Sequence, residues 1–201
     1  ALIIEIITIL YKFNPQERYW EVIGKSLIFF DSYLRSGSLL HSSIDANSEG
    51  EEGKFYSWNL EELHNILGED FNLFKKHMSL IPFEDDLHFI ITGKSNIEEV
   101  NLSFESFKSR ASQMNRLADY RSKRIWPSID NKTILAWNAL MVSTYCTLFR
   151  ISEQKDYLER AESMLDSLLQ FDTGKSHFYR IKVKDTFYGD SFLEDYSLLI
   201  H

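Results

Sequence analysis

The sequence predicts a mainly α-helical fold in which helical hairpins follow one another around a common axis, as in part of an α/α toroid. Segments that are apolar almost all round alternate with amphipathic segments, which predicts buried inner helices and outer helices with one wet face. The chain also aligns with itself at a shift of 138 positions, so that Leu10 meets Leu148 and Tyr19 meets Tyr157. Repeated hairpins favour a solenoid or a closed ring. We therefore expect residues 1–201 to form part of one toroid domain of about three and a half hairpins.

The chain begins with a predicted pair of helices and a hairpin. Residues 1–13 are apolar on most sides, which indicates a helix buried on most sides, although their β-branched content also allows a strand. Pro15 suits the first turn of the amphipathic helix predicted over residues 16–35. Two short apolar runs within residues 37–58 flank a polar, acidic loop, which indicates a hairpin with a functional tip.

The middle of the chain predicts short helices and then a charged one. Residues 59–78 form one or two short helices, with Asn59 as the cap and Glu62 three residues later. Residues 103–124 form an amphipathic helix rich in lysine and arginine. We interpret its basic side chains, Arg124 among them, as a solvated helix face.

The second half of the chain repeats the helical pattern and adds strands. Residues 131–151 cover most of a helix surface with apolar side chains, as residues 1–13 do. The remaining predicted elements are a strand over 86–92, an amphipathic helix over 154–171, a strand pair over 177–188 and a helix from Ser191. Both ends are abrupt, so we expect a fragment that partners the missing remainder of the same polypeptide.

Charge and cysteine content narrow the classes of partner and compartment. The formal net charge of −8 argues against nucleic acid or an anionic membrane as the main partner. Cys146 is the single cysteine, so no disulfide forms within the chain, which fits a reducing compartment. No run approaches the roughly 18 apolar residues of a membrane span. We expect a cytoplasmic protein.

Three segments carry a family resemblance. Residues 43–58 read Ser-Ile-Asp-Ala-Asn-Ser-Glu-Gly-Glu-Glu-Gly-Lys-Phe-Tyr-Ser-Trp. Residues 130–141 read Asp-Asn-Lys-Thr-Ile-Leu-Ala-Trp-Asn-Ala-Leu-Met, and residues 192–196 read Phe-Leu-Glu-Asp-Tyr. Together they resemble the thioredoxin-domain-containing proteins of the spermatogenesis-associated type, whose bacterial members are large cytoplasmic proteins.

The resemblance implies a fold and a class of ligand. It implies that the chain is about half of a six-hairpin (α/α)6 toroid, similar to sugar 2-epimerases and glycoside-processing enzymes. The thioredoxin-like domain of the family is absent from these residues. The chain departs from the family's usual pattern at Asn47, Ser128 and Ala139, where Asp, His and Gly are usual. Loss of the imidazole at Ser128 removes an acid–base candidate.

The acidic loop holds the first candidate site. Asp45 and Glu49 are candidate catalytic carboxylates, and Asn47, Lys54 and Tyr56 are candidate substrate-binding residues. Crowded carboxylates repel one another, so a cation, a sugar or Lys54 is expected to compensate them. The loop also matches the first half of a calcium loop, but position twelve lacks the bidentate Glu. A solvated acidic turn is the simplest alternative; we prefer a loop that lines a pocket.

The segment that opens the second buried helix holds further candidates for substrate binding, namely Asp130, Lys132, Trp137 and Asn138. A tryptophan beside an amide suits stacking on, and hydrogen bonding to, a sugar ring. A core tryptophan with a satisfied amide explains the same pattern, and Asp130 also fits a helix cap.

The last candidates are Glu194 and Asp195 as catalytic carboxylates and Tyr196 as a substrate-binding residue. Paired carboxylates serve as acid and base in glycoside chemistry, and carboxylates at a helix start are also favoured by the helix dipole. The six histidines show no metal-ligand spacing, and no cofactor is predicted.

Two functions follow as hypotheses. The first is a sugar-binding or sugar-processing domain in which the candidate residues face one cavity. The alternative is a non-catalytic helical scaffold that accompanies a thioredoxin-like domain.

Overall fold

The computed structural model describes residues 1–83, 85–93 and 104–200. It is 56% helical and 22% strand, with the strands in small antiparallel sheets. The prediction of an (α/α)6 toroid is therefore wrong, and the fold is mixed α/β. Pairs of short strands separate helices that a toroid would join as successive hairpins.

Helices and short strands alternate along the chain. The chain starts with α1 (Leu2–Phe13), α2 (Glu17–Phe29), a π-helical turn (Phe30–Leu34), β1 (Arg35–Ser36), β2 (Leu39–Leu40) and β3 (Ser43–Ile44). It continues with β4 (Asn47–Ser48), β5 (Glu51–Glu52), β6 (Trp58–Asn59), α3 (Leu60–Leu67), a 3-10 turn (Gly68–Asp70), α4 (Phe71–His77), β7 (Met78–Phe83) and β8 (Asp85–Gly93). It ends with α5 (Phe104–Arg121), β9 (Ile129–Asp130), β10 (Lys132–Ile134), α6 (Leu135–Ser152), α7 (Lys155–Leu169), β11 (Tyr179–Val183), β12 (Thr186–Asp190) and α8 (Leu193–Ile200).

The chain divides into two compact units. Unit 1 comprises residues 1–44 and 129–201, and unit 2 comprises residues 45–128. Each unit has its own hydrophobic core.

Unit 1 is built around α6. This helix packs against α1, α7 and α8, and β10 leads directly into it from the sheet β10-β11-β12. Leu135, Met141, Tyr145 and Leu148 of α6 are at most 1% exposed. The prediction of a helix buried on most sides is therefore confirmed for this segment.

The same prediction is wrong for α1. Only Ile4 and Thr8 are buried on this helix, whereas Ile3 is 73% and Phe13 is 79% exposed. The apolar composition of α1 predicts burial. Among the described elements, however, only α2 and α6 pack extensively against this helix. Apolar composition shows which side chains a helix could bury, but the neighbouring elements determine which of them are buried.

Unit 2 combines the sheet β6-β8-β7 with helices α3, α4 and α5. The predicted capping box at the start of α3 is confirmed. The Asn59 side chain accepts from the Glu62 N–H at 2.8 Å, and the Glu62 carboxylate accepts from the Asn59 N–H at 3.2 Å. These two bonds satisfy donors that the first turn of a helix would otherwise leave open.

The other predicted helices and strands agree with the structure to within a few residues, as α5, α7, β8 and the pair β11-β12 show. Residue 103, the first of the predicted charged helix, lies outside the described residues. None of the helices in the described ranges combines the length and apolar character that crossing a membrane requires.

Candidate functional site

The acidic loop of unit 2 folds into a tight hairpin. Strands β4 and β5 pair with Asn47 opposite Glu52 and Ser48 opposite Glu51. The two connecting residues, Glu49 and Gly50, have φ values of 55° and 82°. Positive φ at both positions is typical of a type I′ turn, whose twist matches the flanking strands. The acidic loop is thus itself a hairpin, and its tip presents Glu49. The predicted hairpin over residues 37–58 is wrong, because the apolar run 39–40 pairs with β1 and the apolar run 55–56 forms a turn rather than a strand.

A glycine after the hairpin allows an aromatic ring to approach the backbone. Gly53 has a φ of 70°, and a Cβ added there would overlap the Phe83 ring at the end of β7. Only glycine accepts both constraints without strain. The Phe83 ring is thereby brought close to the acidic hairpin.

Lys54 is the cation that compensates the hairpin carboxylates. Its Nζ donates to Glu51 Oε1 at 2.9 Å and lies 3.6 Å from Glu49 Oε2. The hydrogen bond to Glu51, together with the charge of Glu49, raises the pKa of Lys54. Lys54 therefore stays charged and holds the two carboxylates near each other.

Arg124 fixes the backbone beneath the hairpin. Its guanidinium donates to the carbonyl oxygens of Lys54, Phe55 and Ser57 at 3.2, 2.9 and 2.7 Å. It also donates to both carboxylate oxygens of Glu62 at 3.1 Å. The interpretation of Arg124 as part of a solvated helix face is wrong, because its side chain is only 16% exposed. The partners lie about 60 to 70 positions away in sequence, and local patterns carry no signal for them.

These residues enclose a cavity of about 510 Å³ in unit 2. The predicted residues Glu49 and Lys54 line it. Glu51 and Glu52 of the acidic loop, which we expected to line a pocket, also line it. Sequence reasoning missed the remaining lining residues: Ser48, Phe55, Ser57, Asn59, Glu62, Phe83, His88 and Arg124. The lining has four carboxylate side chains and two side chains that are always positively charged, so its net charge is negative.

Three predicted residues of the same loop serve its folding. The Asp45 carboxylate accepts from the Asn47 N–H at 3.0 Å and from the Ser128 hydroxyl at 3.3 Å. The Tyr56 hydroxyl donates to the Asp45 carbonyl at 3.4 Å, and burial raises the pKa of this phenol. None of Asp45, Asn47 and Tyr56 is among the residues that line the cavity. Within the described ranges, no group of three or more His, Cys, Asp or Glu side chains is arranged to hold a metal ion.

In unit 1, Asp130 and Lys132 form a local ion pair. Lys132 Nζ lies 2.8 Å from Asp130 Oδ2, and its backbone N–H donates to Asp130 Oδ1 at 3.2 Å. The hydrogen bond from the Lys132 ammonium lowers the pKa of Asp130. Both side chains are more than a third exposed, so this pair faces water.

Trp137 and Asn138 lie at the start of α6 beside an apolar cavity of about 790 Å³. Trp137 is 49% exposed. Asn138 is buried and binds the backbone of β2: it accepts from the Leu40 N–H at 2.8 Å and donates to the Leu40 carbonyl at 3.1 Å. It also donates to the Ile134 carbonyl at 3.0 Å, so its amide is satisfied within the protein.

Glu194, Asp195 and Tyr196 open α8. Asp195 is 0% exposed, and its carboxylate accepts from the N–H groups of Ala136 and Phe192 at 3.3 and 2.8 Å. Arg180 donates to Asp195 at 2.7 Å and to the exposed Glu194 at 3.2 Å. Asp195 therefore joins the first turns of α6 and α8. The Tyr196 hydroxyl accepts from the Phe178 N–H at 3.3 Å.

The candidate residues thus fall into groups within each unit. Glu49 and Lys54 share the acidic cavity of unit 2. Trp137 and Asn138 share the apolar cavity of unit 1, and Glu194 and Asp195 share Arg180. A catalytic role for Asp45, Glu49, Glu194 or Asp195 stays a prediction.

No protein-family model matches this chain, and no curated protein matches it. The resemblance to the spermatogenesis-associated type of thioredoxin-domain-containing protein therefore stays a prediction as well.

Proposed function

We propose that unit 2 binds a carbohydrate, or a small polyol of the same chemistry, in the cavity beside the acidic hairpin. The observation that carries this proposal is the composition of the cavity lining. Carboxylates accept hydrogen bonds from sugar hydroxyls, and the ammonium of Lys54 donates to sugar oxygens. The Phe83 ring supplies an apolar surface for the C–H face of a pyranose. A volume of about 510 Å³ accommodates one or two sugar rings.

The arrangement of charges supports a neutral polyhydroxylated ligand. Lys54 already lies between Glu49 and Glu51 and offsets the repulsion between the two carboxylates. A bound cation is therefore not needed for that purpose. An anionic ligand would face the excess of carboxylates in the lining and be repelled. The floor of the cavity is fixed by Arg124, which lowers the cost of ordering the site on binding.

The test is a panel of mono- and disaccharides titrated into the 201-residue chain and followed by amide NMR spectra and calorimetry. We expect saturable binding that shifts the signals of Glu49 to Lys54. Glu51→Gln should weaken binding about tenfold or more, because a hydrogen bond to a charged acceptor is worth roughly 1.5–3 kcal/mol. Phe83→Leu keeps apolar volume but loses the flat face, and should weaken binding by about two- to tenfold.

Glu61→Gln is the matched control for charge. Glu61 is an exposed carboxylate on α3 that does not line the cavity, so its removal should leave sugar affinity within about twofold. If no sugar in the panel binds saturably, the proposal is wrong and the scaffold alternative gains. Equal losses in Glu51→Gln and Glu61→Gln would also contradict it, because the cavity would then have no special role.

A further inference from the structure

A second, smaller cavity lies in unit 1, where β1, β2, β10 and β11 come together. Its volume is about 230 Å³. This is below the usual range for drug-sized ligands and suits a single small group. The polar residues that line it are Ser36, His41, Asn131, Thr133, Lys182 and Lys184.

The lining is rich in hydrogen-bond donors and cationic. Two ammonium groups, one amide, two hydroxyls and one imidazole surround the cavity, and none of the described residues that line it carries a carboxylate. This is the reverse of the chain as a whole, whose net charge is −8. Two cationic donors, further neutral donors and no carboxylate together favour an anion with several oxygen atoms.

The two lysines lack the carboxylate partners that Lys25 and Lys132 of the same unit have. Lys132 pairs with Asp130 at 2.8 Å, and Lys25 lies 3.7 Å from Glu21. Neither Lys182 nor Lys184 forms a salt bridge with any residue that the structure describes. Lys182 instead lies over the Phe187 ring, with Nζ 5.2 Å from the ring centre. Both ammonium groups therefore lack a carboxylate in direct contact among the residues that the structure describes.

His41 adds an independent observation. Its backbone N–H donates to the Leu34 carbonyl at 2.8 Å, which fixes this residue at the end of β2. Its ring Nδ1 is buried and has no hydrogen-bond partner. A buried N–H without an acceptor carries the full cost of desolvation, so the ring proton is expected on Nε2. The ring then offers an N–H donor from Nε2.

The strand pairing explains why these groups meet. Thr133 of β10 lies directly opposite Lys182 of β11 in the antiparallel ladder. Side chains of directly opposed residues share one face of the pair, so the Thr133 hydroxyl and the Lys182 ammonium lie on the same face. The turn after β11 adds Lys184 to the same cavity.

From this lining we infer that the cavity between β2, β10 and β11 binds a phosphoryl group, as inorganic phosphate or as the phosphate of a small phosphomonoester. The two lysines supply the charge, and the hydroxyls, the Asn131 amide and the His41 ring supply donors for the remaining oxygens. The inference concerns unit 1 and does not depend on sugar binding by unit 2.

The experiment titrates inorganic phosphate, and separately glycerol phosphate, into the 201-residue chain at constant ionic strength with chloride as the balancing anion. Amide and histidine-ring NMR signals report the site. We expect saturable shifts of His41, Thr133 and Lys182 at millimolar phosphate or below. Tighter binding of glycerol phosphate would identify a phosphomonoester as the source, and equal or weaker binding would identify inorganic phosphate.

The double variant Lys182→Gln with Lys184→Gln should weaken phosphate binding at least tenfold. Lys155→Gln with Lys175→Gln is the matched control, since both lysines are exposed, belong to unit 1 and do not line the cavity. Equal weakening in both double variants would overturn the inference, because general charge would then explain it. Linear, non-saturating shifts in the unmodified chain would overturn it too, and this measurement does not require any variant to fold.

Discussion

The helical pairs α1–α2 and α6–α7 follow the same sequence pattern but are buried to different extents. At the 138-residue shift, α1 falls within α6, and α2 falls within α7. Leu10 is 46% exposed, whereas its counterpart Leu148 is 0% exposed. Ile3 is 73% exposed, whereas its counterpart Met141 is 1% exposed. Similar apolar helices have thus become a peripheral element and a central one.

Neighbouring elements account for the difference. Helix α6 is covered by α1, α7 and α8 and by strands β10 and β11, whereas α1 has α2 and α6. The second helices differ in the opposite sense, since Leu27 of α2 is 8% exposed and its counterpart Leu165 of α7 is 36% exposed. The sequence repeat therefore preserves helix formation, and the packing around each helix sets its burial.

The largest expected effect tests the buried carboxylate of Asp195 on α8, which binds the first turn of α6. Asp195→Ala should lower the free energy of unfolding by about 3–5 kcal/mol, because it leaves Arg180 without its buried partner. It also leaves the Ala136 and Phe192 N–H groups unsatisfied. Urea denaturation followed by circular dichroism measures the change.

Glu194→Gln is the control for this prediction. Glu194 contacts the same Arg180 at 3.2 Å but its side chain is 56% exposed, so its loss should cost less than about 1 kcal/mol. Similar costs for Asp195→Ala and Glu194→Gln would show that α6 does not depend on the buried carboxylate.

The next prediction compares the two repeat counterparts directly. Leu148→Ala should cost about 2–5 kcal/mol, because it removes a fully buried side chain and leaves a cavity. Leu10→Ala makes the same chemical change at the equivalent position and should cost less than about 1 kcal/mol, since this side chain is nearly half exposed. Urea midpoints of the two variants, measured side by side, decide the matter. Equal losses would mean that α1 is buried in solution as deeply as α6.

How well the sequence predicts a feature of this molecule depends on how far apart in the chain the interacting residues lie. The capping box spans the four residues from Asn59 to Glu62, so local patterns were sufficient to predict it. The predicted hairpin over residues 37–58 failed, because its first apolar run pairs with β1 instead of with the second run. The burial of α1 and the fold class depend on contacts between distant segments, and both predictions failed. The floor of the acidic cavity was missed for the same reason, because Arg124 binds partners far away in sequence.

The candidate residues show the same division. Glu49 and Lys54 were predicted to lie in one acidic loop, and they come within 3.6 Å of each other because the turn between them is local. Whether a polar residue of α6 faces a ligand or the backbone was beyond local patterns. The Asn138 amide binds the backbone of Leu40, 98 positions earlier, and the carbonyl of Ile134.

The smallest expected effect concerns an ion pair that links the two helical pairs. Asp31, just after α2, binds Arg35 of the same segment and accepts from Nη1 of Arg160 on α7 at 2.9 Å. Burial works to raise the pKa of Asp31, but the hydrogen bonds and charges of the two arginines outweigh it, and the pKa is lowered. A lowered folded-state pKa means that this contribution to stability is complete above the unfolded value, near 4, and is lost as the pH falls through the folded value.

Asp31→Asn should therefore lower the free energy of unfolding by less than about 1 kcal/mol at about pH 6, because the pair is partly exposed. The gap between the variant and the unmodified chain should close as the pH falls below the unfolded value and Asp31 itself becomes protonated in the folded chain. Urea midpoints across this range measure the gap, and Asp166→Asn, at an exposed position on α7, controls for net charge. A gap that stays constant with pH would show that Asp31 acts through packing, and the two helical pairs would then be joined by apolar contacts alone at this point.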